Sequence, residues 1–225
     1  REQASRLAAL HKAIKASEAE MDRYRRGAVP GFIKWLVAAQ RSTGKSMQEP
    51  DGLVHFFPFN EKGSNQIKAS IGGGVGRVGG KLAPASRDGQ GGLRFDGRTA
   101  VTFDSWPSRE RTQAFTFAAW IKVPGNGNGS VLARMDVGQA YRGYDLWIQN
   151  RAVGTHIVSS WPQNALKVVS KQALAADQWQ HVAVSYDGSS KASGIKIFID
   201  GKLVGNQVEQ DSLKETIVTQ VPFKI

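Results

Sequence analysis

From residue 53 onward, apolar residues fall at every second position in short runs, and no helical period interrupts them. The runs are 53–60 (LVHFFPFN), 92–97 (GLRFDG), 100–104 (AVTFD), 114–123 (AFTFAAWIKV), 130–136 (SVLARMD) and 144–150 (YDLWIQN). They continue with 153–159 (VGTHIVS), 166–170 (LKVVS), 178–187 (QWQHVAVSYD) and 195–201 (IKIFIDG). Turn clusters separate them, among them PGNGNG at 124–129, DGSSKASG at 187–194 and IGGGVGRVGGK at 71–81. Strands of this kind, without interleaved helices, bury one face each only by stacking sheet on sheet. The pattern therefore predicts a mainly β, antiparallel sandwich or barrel.

Residues 1–50 read differently. Leu7, Leu10, Ile14, Ser17, Met21 and Tyr24 recur at spacings of three and four, which marks one face of an α-helix. Gly27 ends that helix, and Pro30 opens a second, PGFIKWLVAAQ, at its first turn. A helical hairpin is expected here, with 41–52 (RSTGKSMQEPDG) as its linker to a sandwich over 51–225.

Composition removes several function classes. With 40% hydrophobic and 22% charged residues, the chain is that of a globular protein. There is no cysteine, so disulfides, thiolate catalysis and cysteine zinc sites are excluded. His11, His55, His156 and His181 show no zinc-ligand spacing. No apolar run reaches membrane-spanning length. The net charge of +11 raises nucleic acid as a partner, but Lys and Arg are spread along the chain. Their one dense cluster, DRYRR at 22–26, sits at a helix end, where cations suit the dipole. The Gly-rich run 71–81 lacks the Lys-Ser/Thr ending of a phosphate loop, and no helix follows it. It reads as a surface loop.

The order GLVHFFPFNE, GLRFDGRTAVTFD, FTFAAWIKV, SVLARMD, GYDLWI, WQHVAVSYDGS and IKIFIDGKLVG resembles the laminin G-like modules of the concanavalin A-like lectin/glucanase superfamily. The resemblance runs from about residue 52 to the last residue and implies a two-sheet jelly roll. Further segments, RMDVGQAYRGYDLWI, THIVSSWPQNALKVVS and FIKWL, resemble the module found inside large exported planctomycete proteins that also carry cytochrome-c-like domains. By that likeness the chain is an internal fragment of an exported bacterial protein, extracellular or periplasmic, with the hairpin as a connector. Modules of this type continue after the strand at 222–225 (PFKI) with a closing strand that pairs with the first. The module thus reads as cut short of its last strand, leaving an open edge that promotes association.

Catalysis finds little support in the residues. Glucanases on this fold carry carboxylates at alternate positions of one strand, where acid and nucleophile share a face. After residue 50 the only Glu with an acidic residue two positions away is Glu209, whose partner Asp211 lies in the loop-like NQVEQDSLKE. In WQHVAVSYDG, His181 and Ser185 share a strand face but stand about 13 Å apart by the usual rise, too far to pair. Val182, Val184 and Tyr186 form the opposite, core-directed face, and Asp200-Gly201 predicts a tight hairpin.

Two candidate sites remain. Laminin G-like modules hold calcium at one rim of the sandwich, and the resemblance implies Asp104, Asn126, Asn128 and Asp136 as ligands. The same residue types also serve turns without an ion. The region 134–166 is the richer one. If Tyr144, Leu146 and Ile148 face the core, Asp145, Trp147 and Gln149 face outward, and His156 lies on a face of the next strand that could join them. An indole flanked by polar groups suits a sugar ring, which stacks on it while its hydroxyls are bonded. Arg134, Tyr141, Arg142, Trp161 and Asn164 complete the candidate set. The residues leave three functions open: a non-catalytic carbohydrate-binding module, a spacer or protein–protein interaction module whose aromatics only pack, and an atypical glycoside hydrolase.

Overall fold

The computed structural model describes residues 11, 14–19, 51–61 and 63–225. The chain divides into two compact units, Arg1–Leu53 and Val54–Ile225. In the first, His11 and residues 14–19 are helical and exposed. The expected hairpin turn at Gly27 and the second helix lie outside the described residues.

The second unit is built from strands β1 (Gln66–Lys68), β2 (Val75–Gly79), β3 (Ala83–Arg87), β4 (Gln90–Arg94), β5 (Ala100–Phe103), β6 (Phe115–Lys122), β7 (Gly129–Asp136) and β8 (Arg142–Gln149). It continues with β9 (Ala152–Ser160), β10 (Asn164–Ala173), β11 (Trp179–Tyr186), β12 (Ile195–Ile199), β13 (Lys202–Leu203), β14 (Asn206–Asp211) and β15 (Phe223–Lys224). One sheet has nine strands in the order β1-β2-β5-β15-β7-β8-β9-β10-β14, and a second has four, β13-β12-β11-β6. Every pairing is antiparallel. Strands β3 and β4 form a separate hairpin around Asp88-Gly89, both at positive φ, as a tight two-residue turn requires.

The sheets stack because alternation holds. Val182, Val184 and Tyr186 of β11 are buried, as are Tyr144, Leu146 and Ile148 of β8. Phe115 and Phe117 of β6 each place a ring 5.4 Å from that of Tyr144, joining the layers. At one end, Phe223 of β15 stacks on Trp106 at 4.1 Å. Buried Arg134 closes this end, its guanidinium donating to the carbonyls of Val221 (3.0 Å) and Trp106 (2.8 Å). Those carbonyls offset much of the cost of taking the charge out of water.

Three segments depart from the sequence reading. The Gly-rich run 71–81 contains β2. A Cβ on Gly76 would lie 2.4 Å from Val101 and 2.6 Å from Phe103, so glycine here lets the strand press onto the core. Residues 206–211, read as loop, form edge strand β14. Residues 53–60 make only an isolated bridge, Phe56 with Ile71, because Pro58 cannot donate and Phe59 turns to φ 52°. The strand within PFKI is β15. It lies mid-sheet, paired with β5 on one side and β7 on the other. The edges of the nine-stranded sheet are three-residue β1 and β14, which is bulged opposite β10.

Candidate functional site

Register assembles the site on the outward face of the large sheet. Ala133 of β7 pairs with Asp145 of β8, and Lys167 of β10 pairs with both His156 of β9 and Gln210 of β14. The flanking pairs Tyr144–Ile157 and Trp147–Gly154 set Asp145 opposite His156. One row therefore runs Ala133, Asp145, His156, Lys167 across adjacent strands, with Trp147 two residues along from Asp145.

Asp145 is buried and fully engaged. Its Oδ1 accepts the backbone N–H of His156 at 2.7 Å, and the imidazole Nδ1 lies 3.1 and 3.0 Å from Oδ1 and Oδ2. An ionised carboxylate only accepts, so Nδ1 carries the proton and donates. The backbone beneath is fixed by Thr155, whose hydroxyl donates to the Asp145 carbonyl at 2.6 Å. His156 is thereby oriented between two indoles: stacked on Trp147 at 5.3 Å and edge-on to Trp161 at 5.1 Å. Both tryptophans are half-buried, neither sealed nor fully exposed.

Gly154 makes room for the first of them. A Cβ there would sit 2.2 Å from Trp147 Cζ2, so the indole lies directly across the glycine. Trp147 Nε1 is buried and has no hydrogen-bond partner among the described residues. The Lys167 ammonium stands 5.3 Å from the centre of the Trp147 ring and 5.8 Å from that of Trp161. Glu209 of β14 holds it through a 2.7 Å ion pair.

Of the nine residues grouped from the sequence, Asp145, Trp147, His156 and Trp161 come together. Arg134 does not: it faces the core, spent on the two carbonyls described above. Arg142 donates to the Ser159 carbonyl (3.2 Å) and to Gln139 (3.0 Å), fastening a strand end. Tyr141 is exposed in the turn before β8, at φ 63°. Gln149 is exposed at the turn into β9 and is not bonded to the cluster. Asn164 uses its Oδ1 to accept the backbone N–H groups of Lys214 (2.7 Å) and Glu215 (3.3 Å). Sequence reasoning missed Lys167 and Glu209. Lys167 alternates onto the outward face, but only the register of three strands brings it to the indoles.

The proposed calcium ligands do not form one site. Asp136 caps a short 3-10 turn (Val137–Gln139) through Gly138 N–H, while Asp104 pairs with Arg77 at 2.6 Å. Asn128 accepts from Asn150 N–H at 2.8 Å and donates to the Asn126 carbonyl at 3.0 Å. Asn128 precedes β7 and Asp136 ends it, about 26 Å apart by the rise of a strand. Among the described residues, no three His, Asp or Glu gather as a metal site. A cavity of about 430 Å³ between Ile67, Leu82 and Leu93 contains none of the candidate residues.

Two carboxylates border the cluster. Asp145 and Glu209 sit on strands three spacings apart, about 14 Å between backbones. Each is also bound to a basic side chain.

A two-sheet antiparallel jelly roll with an aromatic patch on its large sheet defines a lectin-like protein class. The chain belongs to the laminin G family of the concanavalin A-like lectin/glucanases superfamily, whose model matches residues 95–223. Among solved structures it is similar to botulinum neurotoxin type C from work on that toxin's interaction with two ganglioside molecules (12% identity, TM-score 0.51). It is also similar to the binding domain of botulinum neurotoxin DC in complex with rat synaptotagmin II (11% identity, TM-score 0.53). These likenesses cover 76% of this chain and 42% and 43% of the respective toxin chains, and at such identity they show the fold alone. No protein of curated function matches the chain.

Proposed function

We propose that Val54–Ile225 is a non-catalytic binding module for carbohydrate, carried within a larger exported protein, and that Trp147 and Trp161 form its floor. The observation that carries this reading is the outward aromatic trio Trp147–His156–Trp161, oriented by a buried carboxylate. An orienting network of this kind is more than packing two indoles requires, and it gives a sugar both an apolar floor and fixed polar neighbours. The toxin structures, one linked to gangliosides and one in complex with rat synaptotagmin II, make glycan and protein surfaces the first partners to test. Among the described residues no helix is long and apolar enough to cross a membrane.

A glycan array probed with the wild-type protein and Trp147→Ala tests the reading. Retention of a glycan subset by the wild type and its loss in a folded Trp147→Ala variant is the expected result. Equal retention by both refutes the site, and no retention by either refutes carbohydrate as the ligand.

A second reading has its own observation. On the outer face of the small sheet, Trp120 and Leu203 are exposed, and Phe198 pairs with Leu203 in register. With the Arg87 guanidinium 4.0 Å over the Trp120 ring, that mixed apolar and cationic face fits a protein partner. Trp120→Ser would abolish such binding and leave glycan retention unchanged.

A further inference from the structure

We infer that Lys167 is an internal, displaceable occupant of the indole floor, latched by Glu209, and that it controls access to the site. This deepens the carbohydrate reading and rests on it for the ligand's identity, but not for the latch itself.

Three observations converge. First, the Lys167 ammonium lies over both indoles at once, 5.3 and 5.8 Å from their ring centres, where a stacking ligand would sit. Second, the two ion pairs of the cluster differ in kind. The Asp145 and His156 side chains are 12% and 20% exposed, and the backbone of β9 reinforces their pairing. In the second pair Lys167 is 20% exposed and Glu209 36%, and the Glu209 side chain sits on edge strand β14 at a register shift, bonded to nothing except Lys167 among the described residues. The first pair is scaffold; the second is free to open. Third, Trp147 carries a buried indole N–H with no partner among the described residues. An unmade bond of that kind is costly, and a ligand oxygen reaching it would make it good.

The consequence is a specific sign. A neutral sugar ring must exchange places with the ammonium, so it binds against the latch rather than through it. Salt weakens an ion pair that solvent reaches on one side, here through Glu209. Binding of a neutral oligosaccharide should therefore strengthen as ionic strength rises, whereas a ligand held by the Lys167 charge would weaken. Removing Lys167 should tighten binding by about three- to tenfold, the equivalent of a partly desolvated cation–π contact.

The test has two arms. Acrylamide, a small neutral quencher, reports access to the indoles without any sugar. Lys167→Ala, Glu209→Gln and added salt should each raise the quenching constant, and the rise should vanish in a Trp147→Phe/Trp161→Phe background. Quenching unchanged in both variants overturns the latch, even if glycans bind. The second arm uses the neutral oligosaccharide best retained on the array. Tighter binding by Lys167→Ala and in salt supports the exchange, and weaker binding in either case makes Lys167 a ligand contact and overturns it. If no glycan is retained, the proposed function fails while the quenching arm still decides whether the latch exists.

Discussion

Gly154→Ala is the most informative single perturbation of the candidate site. The glycine is not in a left-handed conformation, so alanine costs the backbone nothing. The added methyl would instead lie 2.2, 2.4 and 2.5 Å from Cζ2, Cε2 and Cη2 of Trp147. Non-bonded carbons settle at about 3.5–4.0 Å, so the indole must lift by about 1.5 Å. It has little freedom to do so, with His156 stacked against it. Forcing an extra methyl into such a contact costs about 1–3 kcal/mol. At about 2–4 °C per kcal/mol for a chain of this size, the melting temperature should fall by about 2–12 °C. Thermal unfolding followed by near-ultraviolet circular dichroism reads both the shift and the displaced indole, and the glycan array reads the loss of the floor. An unchanged melting temperature with an unchanged near-ultraviolet spectrum would refute the packing of Trp147 on Gly154.

Arg134→Met separates the core from the site. It strands the carbonyls of Val221 and Trp106 and should cost about 2–6 kcal/mol in urea denaturation, at about 1–3 per unsatisfied group, with glycan retention by the folded protein unchanged. Glu110 supplies an acid-labile component. Burial pushes its carboxyl up, but hydrogen bonds from the Thr216 hydroxyl and the N–H groups of Arg111 and Ile217, with the Arg111 charge, hold it below its ordinary 4.5. Its contribution is therefore present above pH 4.5 and lost as pH falls through the depressed value. Glu110→Gln should be less stable than wild type at neutral pH and converge with it in acid. A constant stability gap across a pH series of denaturation curves would count against this.

Alternation along single strands was legible, because its period is set by the pleat and not by neighbours. It placed Val182, Val184 and Tyr186 in the core and set Trp147 and His156 on faces that could join. What requires two strands at once was not. β2 is hidden by glycines that serve Val101 and Phe103, residues more than twenty positions away. Arg134 looked like a binding residue because its carbonyl partners lie in segments with no sequence mark. Trp147 and Gly154 explain each other, yet neither alone announces that one lies on the other. Lys167 and Glu209 are forty-two positions apart, and only the bulged pairing of β10 with β14 brings them together.

Strand β15 has a consequence for timing. Among the described residues it is the only link between β5 and β7, so the large sheet exists as two ribbons, β1-β2-β5 and β7 through β14, until residues 223–224 arrive between them. Phe223 also brings one face of the Trp106 stack, and Ile225 adds a reciprocal pair of backbone bonds to Val101. On a ribosome, where residues emerge in order, every other strand described above is exposed before this one leaves the exit tunnel. Closure of the domain is therefore a late, post-emergence event, and the half-sheets waiting for it are the species that a chaperone would meet.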